Sequence, residues 1–147
     1  MSGQKKLVGY AAKFNELSED LWGFRERVDE GAFRESIQKD DVRLLWNHDV
    51  NHVLARTKSK TLKLTEDKTG LHFEGILPDT QLAKDLAVSI QRGDVSQNSF
   101  GFNILSERWE RRSTGTVRVL TKVRLYDVSP VTYAAYPQTD VHVEDVD

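Results

Sequence analysis

The chain has 147 residues, no cysteine and a formal net charge of −2, with acidic and basic residues mixed along its length. This length predicts one domain that buries a core without covalent cross-links. The lack of cysteine fits a reducing compartment and excludes thiol nucleophiles, thiolate metal sites and iron–sulfur clusters. The mixed charge predicts no nucleic-acid and no membrane partner. The polar N-terminus and the absence of a long apolar run predict a soluble cytoplasmic protein.

The first half of the chain has mainly strand patterns. Residues 7–14 and 22–28 are predicted strands, and a capped segment with one apolar stripe predicts a short helix over 29–38. A third strand is predicted over 42–49, running into a turn at 49–51. With the further apolar stretches up to residue 77, this region is predicted to form an antiparallel meander.

The second half begins with the clearest helix, residues 78–93, which has an apolar stripe and ends at a glycine. Strands are predicted over 99–104 and 117–131, separated by a charged segment at 107–115 that ends in a mobile loop at 111–115. The acidic segment 138–147 is predicted as either a frayed tail or an edge strand, following a catalytic domain at 1–137. We expect its removal to leave the fold intact.

The strand that starts at Ser99 is the first candidate for chemistry. Alternation turns Phe100 and Phe102 to the core and leaves Ser99 and Gly101 on the opposite face. Gly101 has no side chain, so it leaves room for a substrate backbone and is predicted to bind substrate. Ser99 is interpreted as a nucleophile; the alternative is a hydrogen-bonded or solvent-facing serine.

A nucleophilic serine needs a base and a group that orients the base. Of the four histidines, His48 ends an apolar strand, although such a histidine can also be structural. Asp127 shares its alternation with apolar residues of its strand and would be met there by a histidine. The alternatives are a salt bridge to an arginine, or Val128 as the inward residue.

A metal site is the competing use of the same residues. His48, Asp49 and His52 carry side chains that bind metals. The four-residue histidine spacing presents both rings on one face only in a helix, whereas this stretch is predicted to be a turn. The sequence therefore predicts no metal ligands, and a histidine-ligated metal hydrolase remains a rival interpretation.

An ordered set of motifs resembles the prohead proteases of tailed bacteriophages, serine peptidases that trim capsid proteins during head assembly and are distantly similar to herpesvirus assemblins. The resemblance covers nearly the whole domain. It is carried by six stretches: Gly9-Tyr10-Ala11-Ala12 with Phe14-Asn15, Phe24–Val28 leading to Gly31-Ala32-Phe33, Leu44-Leu45-Trp46-Asn47-His48-Asp49, Gly70-Leu71, Val95–Phe102 and Asp127–Pro137.

The resemblance implies the catalytic roles residue by residue. The histidine of its Trp-Asn-His-Asp motif, His48 here, is the general base, and the second serine of its Val-Ser-x-x-Ser-Phe-Gly-Phe motif, Ser99, is the nucleophile. The family commonly has glutamate where this chain has Asp127, which is one methylene shorter. The implied fold is mainly β: a compact, closed antiparallel β-barrel flanked by a few helices, similar to the assemblins, with no cofactor.

The resemblance also implies a place of action and partners. The expected substrates are a capsid precursor or scaffold protein and the protease's own tail, cleaved in the host cytoplasm inside the assembling prohead. An oligomer is allowed but not specified. The alternative function is a non-catalytic β-barrel module that binds scaffold or assists head assembly.

Overall fold

The computed structural model describes residues 3–147, which form two β-sheets and two short helices. The predicted mainly β class is confirmed. The strands are β1 (Lys5–Lys13), β2 (Phe24–Val28), β3 (Arg43–Trp46), β4 (Asp49–Arg56), β5 (Leu62–Glu66), β6 (Gly70–Ile76), β7 (Gln97–Arg112), β8 (Gly115–Val131) and β9 (Asp140–Asp145), and the helices are α1 (Ser36–Lys39) and α2 (Gln81–Arg92).

The long strand β8 organises the second sheet. The first sheet has the order β5-β6-β1-β9, and the second has the order β2-β8-β3-β4 with β7 also paired to β8. The two sheets meet where β6 faces β3: a Cβ added at Gly75 would lie 2.4 Å from Leu44 Cδ2. The glycine lets the leucine side chain approach the opposite sheet, so the apolar core lies between the sheets.

The predicted closed antiparallel barrel is wrong: the sheets of residues 3–147 are both open. Closure requires every edge strand to be paired through its backbone. Near the start of β7, the Asn98 side chain makes the link instead, donating to the backbone oxygens of Tyr10, at 3.2 Å, and Asp140. Moreover, β2 and β3 both pair with β8 in parallel, so the second sheet is mixed.

The predicted meander is also interrupted, because its strands belong to different sheets. β3 and β4 form an antiparallel hairpin in the second sheet, whereas β5 and β6 form one in the first. The turn expected at 49–51 is wrong as well, since those residues belong to β4. Alternation alone cannot distinguish a hairpin partner in one sheet from a crossover to the next.

The predicted helix over 29–38 is much shorter in the structure. Only α1 is helical, and residues 30–35 form turns. Gly31 has φ of +87°, a left-handed conformation in which a right-handed helix cannot continue. Turns therefore replace most of the helix that Phe33 and Ile37 suggested.

Helix α2 is confirmed; it begins three residues later than predicted, after Thr80, and ends at the predicted glycine. The Thr80 side chain accepts a hydrogen bond from Ala83 N at 3.2 Å, and Gly93 closes the helix with φ of +87°. Leu86 and Ile90 bury its apolar stripe, and the chain then enters β7. Within residues 3–147 neither helix has the length and apolar composition needed to cross a membrane.

The predicted mobile loop at 111–115 is wrong, because β7 and β8 continue as a hairpin whose turn is only residues 113–114. Ion pairs hold the charged arm against β2 and the chain after it. Arg108 lies 2.8 Å from Asp29, and Arg27 lies 3.0 Å from Glu110. The charged residues of this stretch therefore belong to a paired, solvated β-hairpin and not to a mobile loop.

The acidic C-terminal segment forms an edge strand, the second of the two predicted alternatives. β9 pairs antiparallel with β1, and Thr139 and Val141 are buried. Thr139 Oγ1 accepts a hydrogen bond from Asn98 N and donates one to Asn98 O, both at 2.9 Å. The segment beyond the predicted boundary at residue 137 therefore supports the start of β7.

Removal of residues 138–147 is accordingly expected to destabilise the fold, the reverse of the expectation from composition. Burial of the Val141 side chain alone contributes about 2 kcal/mol, and the pairing with β1 is lost in addition. We expect the free energy of unfolding to fall by at least about 2 kcal/mol, measured by urea denaturation followed by circular dichroism. The control removes only residues 146–147, which leaves β9 in place; equal stability of both truncated proteins and the full chain would contradict the expectation.

Candidate active site

His48 lies in a tight turn that joins β3 to β4. Trp46 pairs with Asp49, and the two residues between them, Asn47 and His48, have φ of 54° and 58°. Two consecutive left-handed residues are the signature of a type I′ hairpin turn. The turn therefore comes earlier than predicted and holds His48 itself, because asparagine and histidine tolerate this conformation better than most residues.

Asn47 fastens this turn to the end of β8. Its backbone N–H donates to Pro130 O at 3.0 Å, and its side-chain oxygen accepts from Thr132 N at 3.0 Å. Its amide nitrogen also donates to Thr132 Oγ1 at 3.3 Å. The position of His48 relative to β8 is thus set by backbone and side-chain bonds of its neighbour.

A bulge in β8 decides the direction of Asp127. Gly101 pairs with Asp127 and Phe102 with Leu125, so Tyr126 is an extra residue without a partner. Because neighbouring residues of β7 point to opposite faces, Leu125 joins the core while Asp127 is turned to the face of Gly101.

The bulge resolves the choice that alternation left open between Asp127 and Val128. Val128, paired with Phe100, is fully buried in the core. Asp127 is 8% exposed and lies on the other face, where polar side chains meet it. Its low exposure is compatible with a charged carboxylate because these groups donate hydrogen bonds to it.

Ser99 lies on the same face of β7 as Gly101 and is paired with Ser129. Its neighbours Asn98 and Phe100 are buried, whereas Ser99 itself is partly exposed. The alternation predicted for this strand is therefore confirmed. It leaves Ser99 on the less buried side of a strand whose other side is packed into the core.

Asp127 and His48 are in direct contact. His48 Nδ1 lies 2.6 Å from Asp127 Oδ2, and the imidazole is 39% exposed. Since an ionised carboxylate only accepts hydrogen bonds, Nδ1 carries the proton and Nε2 has the free lone pair. The hydrogen bonds of His48 go to Asp127 and Ser129, and within the described residues none joins it to Ser99. Catalytic hydrogen bonds are often long without substrate.

The other three histidines are engaged elsewhere. His52 Nδ1 is 3.5 Å from Asp49, His72 packs edge-on against the Tyr10 ring, and His142 is 3.1 Å from Glu144. Across residues 3–147 no three His, Asp or Glu side chains are grouped closely enough to hold a metal ion. The cluster considered from the sequence, His48 with Asp49 and His52, is therefore not assembled.

A buried polar cluster supports β7 from its core side. The Tyr136 ring packs 5.8 Å from that of Phe100, and its hydroxyl donates to Glu26 at 2.5 Å. Arg118 donates to the other oxygen of the same carboxylate, at 2.6 and 2.9 Å. Burial, together with the nearby Glu26 charge, holds the pKa of the Tyr136 phenol far above its usual range. The phenol therefore remains protonated at neutral pH and donates a hydrogen bond to Glu26 behind the strand that carries Ser99.

The space beside Gly101 is occupied by the Asp127 carboxylate. A Cβ added at Gly101 would lie 2.0 Å from Asp127 Oδ1 and 3.0 Å from Cγ. The glycine thus lets a carboxylate lie directly above β7, where it can reach His48. Contact between Gly101 and the substrate stays a prediction. Independently of the substrate, a side chain at this position would collide with the Asp127 carboxylate, which is a physical reason for a glycine here.

Gly101→Ala is expected to reduce turnover more than stability. The atom it would strike is the end of a side chain, so the carboxylate can swing aside and leave His48, a misplacement that costs on the order of 10²-fold in kcat. The control is Gly75→Ala, whose Cβ would strike Leu44 in the core. Peptide cleavage and thermal unfolding are measured on both. A proportional loss of activity and stability at Gly101 would contradict the expectation, as it would for the bulkier Gly101→Val.

Sequence reasoning missed two groups around His48. The predicted strand over 42–49 includes Asn47, which instead anchors the turn. No role is predicted for Ser129, whose hydroxyl donates to Asp127 Oδ2 at 2.7 Å. The Asp-x-Ser spacing was the available signal, because alternate strand residues share a face.

A partly exposed serine, a histidine and a buried carboxylate on one face of a sheet are the groups that a serine peptidase uses. The family description "Caudovirus prohead serine protease" matches residues 1–147, the full chain. The chain belongs to this family, whose members are proteases that process capsid or scaffold protein during prohead maturation. Among curated proteins, none matches the chain significantly.

Proposed function

We propose that Ser99, His48 and Asp127 are the catalytic triad of this prohead protease. Ser99 attacks the scissile carbonyl, His48 takes the hydroxyl proton through Nε2 and returns it to the leaving amine, and Asp127 orients His48. The observation that carries the proposal is the 2.6 Å contact between His48 Nδ1 and Asp127 Oδ2 on the face of Ser99.

Three local features allow Asp127 to reach His48 although the family commonly has the longer glutamate at this position. The bulge at Tyr126 turns Asp127 toward this face, and the missing side chain at Gly101 lets its carboxylate lie close to β7. The left-handed turn brings the imidazole to the same place. Together they supply the reach that a glutamate would obtain from its extra methylene.

The substrates we propose are the N-terminal scaffolding segment of the capsid precursor, or a separate scaffold protein, and the protease's own C-terminal segment. Cleavage takes place in the host cytoplasm, inside the assembling prohead. These assignments are supported by the function of the family. A partly exposed serine on a sheet face suits a polypeptide that lies extended across the strands.

Co-expression with the capsid protein of the same phage tests the proposal. Mass spectrometry should find cleaved capsid protein with the natural chain and with Ser96→Ala, a control at an exposed serine just before β7. Ser99→Ala should leave the capsid protein intact. A natural chain that binds capsid protein without cleaving it would instead identify the non-catalytic assembly module, and cleavage by Ser99→Ala would show that the nucleophile was assigned wrongly.

A further inference from the structure

Ser129 is fully buried and lies directly opposite Ser99 on β8. Its hydroxyl donates to Asp127 Oδ2 at 2.7 Å, and it accepts a hydrogen bond from the backbone N–H of His48 at 3.3 Å. The carboxylate oxygen that accepts the hydrogen bond from Ser129 is also the one that contacts His48 Nδ1. Three hydrogen bonds therefore join Ser129, Asp127 and His48 in a closed ring.

We propose that Ser129 is a positioning residue for the Asp127–His48 pair; this inference rests on the proposed triad. Its hydroxyl fixes the backbone of His48 and the carboxylate that orients the imidazole at the same time. Removal of the hydroxyl leaves the His48 backbone and the Asp127 carboxylate without the bonds that Ser129 provides. Ser129 is not a second nucleophile, because it is closed off from solvent and its proton is held by Asp127.

Two features separate this role from that of an ordinary buried serine. Buried hydroxyls commonly donate to a nearby backbone carbonyl, whereas the proton of Ser129 goes to the carboxylate. In addition, both anchoring partners need support. His48 has a left-handed backbone, and the Asp127 carboxylate lies in the space left by the missing side chain of Gly101.

Ser129→Ala is expected to lower the rate at which a serine-directed phosphonate labels Ser99 by about 10- to 100-fold, the usual effect of a lost hydrogen bond to a charged group. Ser129→Thr keeps the hydroxyl and should restore most of the rate. Should the alanine variant not fold, Ser129→Cys takes its place, because it keeps the side-chain volume with a weaker donor. An unchanged labelling rate in whichever of these two variants folds would overturn the proposal.

A double-variant cycle distinguishes positioning from packing. In an Asp127→Asn background the carboxylate is already lost, so Ser129→Ala should change the labelling rate much less than it does in the natural chain. Equal fold-losses in both backgrounds would show that Ser129 acts only through packing, and would overturn the inference. The ¹H NMR signal of the His48 Nδ1 proton should also move in Ser129→Ala; an unmoved signal counts against the inference.

Failure of this inference and failure of the triad give different results. If Ser99→Ala abolishes labelling while Ser129→Ala labels at the natural rate, the triad stands and only the role of Ser129 is wrong. If Ser99→Ala still reacts at the natural rate, the triad itself is wrong, and the positioning role falls with it.

Discussion

Ser99→Ala and His48→Ala are each expected to lower kcat for peptide cleavage by about 10⁶-fold, and the double variant should lose no more. In the proposed mechanism, the first change removes the attacking oxygen and the second removes the base that activates it. Because both residues serve one step, either loss alone disables that step. The measurement is cleavage of a capsid-derived peptide by the three variants, each first shown to be folded by circular dichroism.

The controls for this prediction are the nearest residues of the same types. Ser96→Ala and His52→Ala should keep activity within a few-fold, because Ser96 is exposed before β7 and His52 lies beside Asp49 rather than Asp127. An inactive Ser96→Ala together with an active Ser99→Ala would show that Ser96 is the nucleophile. An inactive His52→Ala together with an active His48→Ala would show that His52 is the base.

Asp127→Asn is expected to lower kcat by about 10⁴-fold. The amide keeps the shape of the carboxylate, but its N–H₂ group can face His48 Nδ1, which favours the tautomer with the proton on Nε2. That tautomer cannot accept the proton of Ser99.

Asp49→Asn is the matched control for this change, since Asp49 approaches a different histidine, His52, at 3.5 Å on the surface. It should leave kcat unchanged. The same peptide cleavage is measured for both variants over a range of pH. Full activity of Asp127→Asn would remove this residue from the mechanism, and an inactive Asp49→Asn would transfer its role to the other acid.

The parts of the fold that were predictable depend on local signals. Helix α2 could be found because a capping threonine, an apolar stripe and a terminating glycine lie within one short segment. The face of Ser99 could be found because alternation along a strand needs no knowledge of its partner. These two elements are sufficient to place Ser99, the proposed nucleophile, near the start of β7, shortly after the helix.

The direction of Asp127 could not be predicted, because it depends on the pairing of two strands. The extra residue at Tyr126 is visible only when β7 and β8 are aligned, and it shifts every side chain beyond it to the other face. The turn at His48 was misplaced for a related reason. Asn47 and His48 continue an apolar stretch in sequence, and only the bonds of Asn47 to residues 130 and 132 show that the chain reverses there.

The open sheets and the ordered strand β9 could not be predicted for the same reason: both depend on which strands pair in space. Whether strands close a barrel depends on the edges that meet in space, and here the Asn98 side chain takes the place of a backbone ladder. The acidic composition of the last residues indicated weak order. Pairing with β1 and the bonds between Thr139 and Asn98 outweigh that local preference.

Phosphonate labelling followed by peptide mapping tests the central claim most directly. A serine-directed phosphonate is added to the natural chain, to His48→Ala and to Ser96→Ala, and the modified residue is located by mass spectrometry. The proposed mechanism predicts one modified residue, Ser99, labelled in the natural chain and in Ser96→Ala and unlabelled without His48. Labelling at another serine, or labelling of Ser99 at the natural rate in His48→Ala, would contradict it.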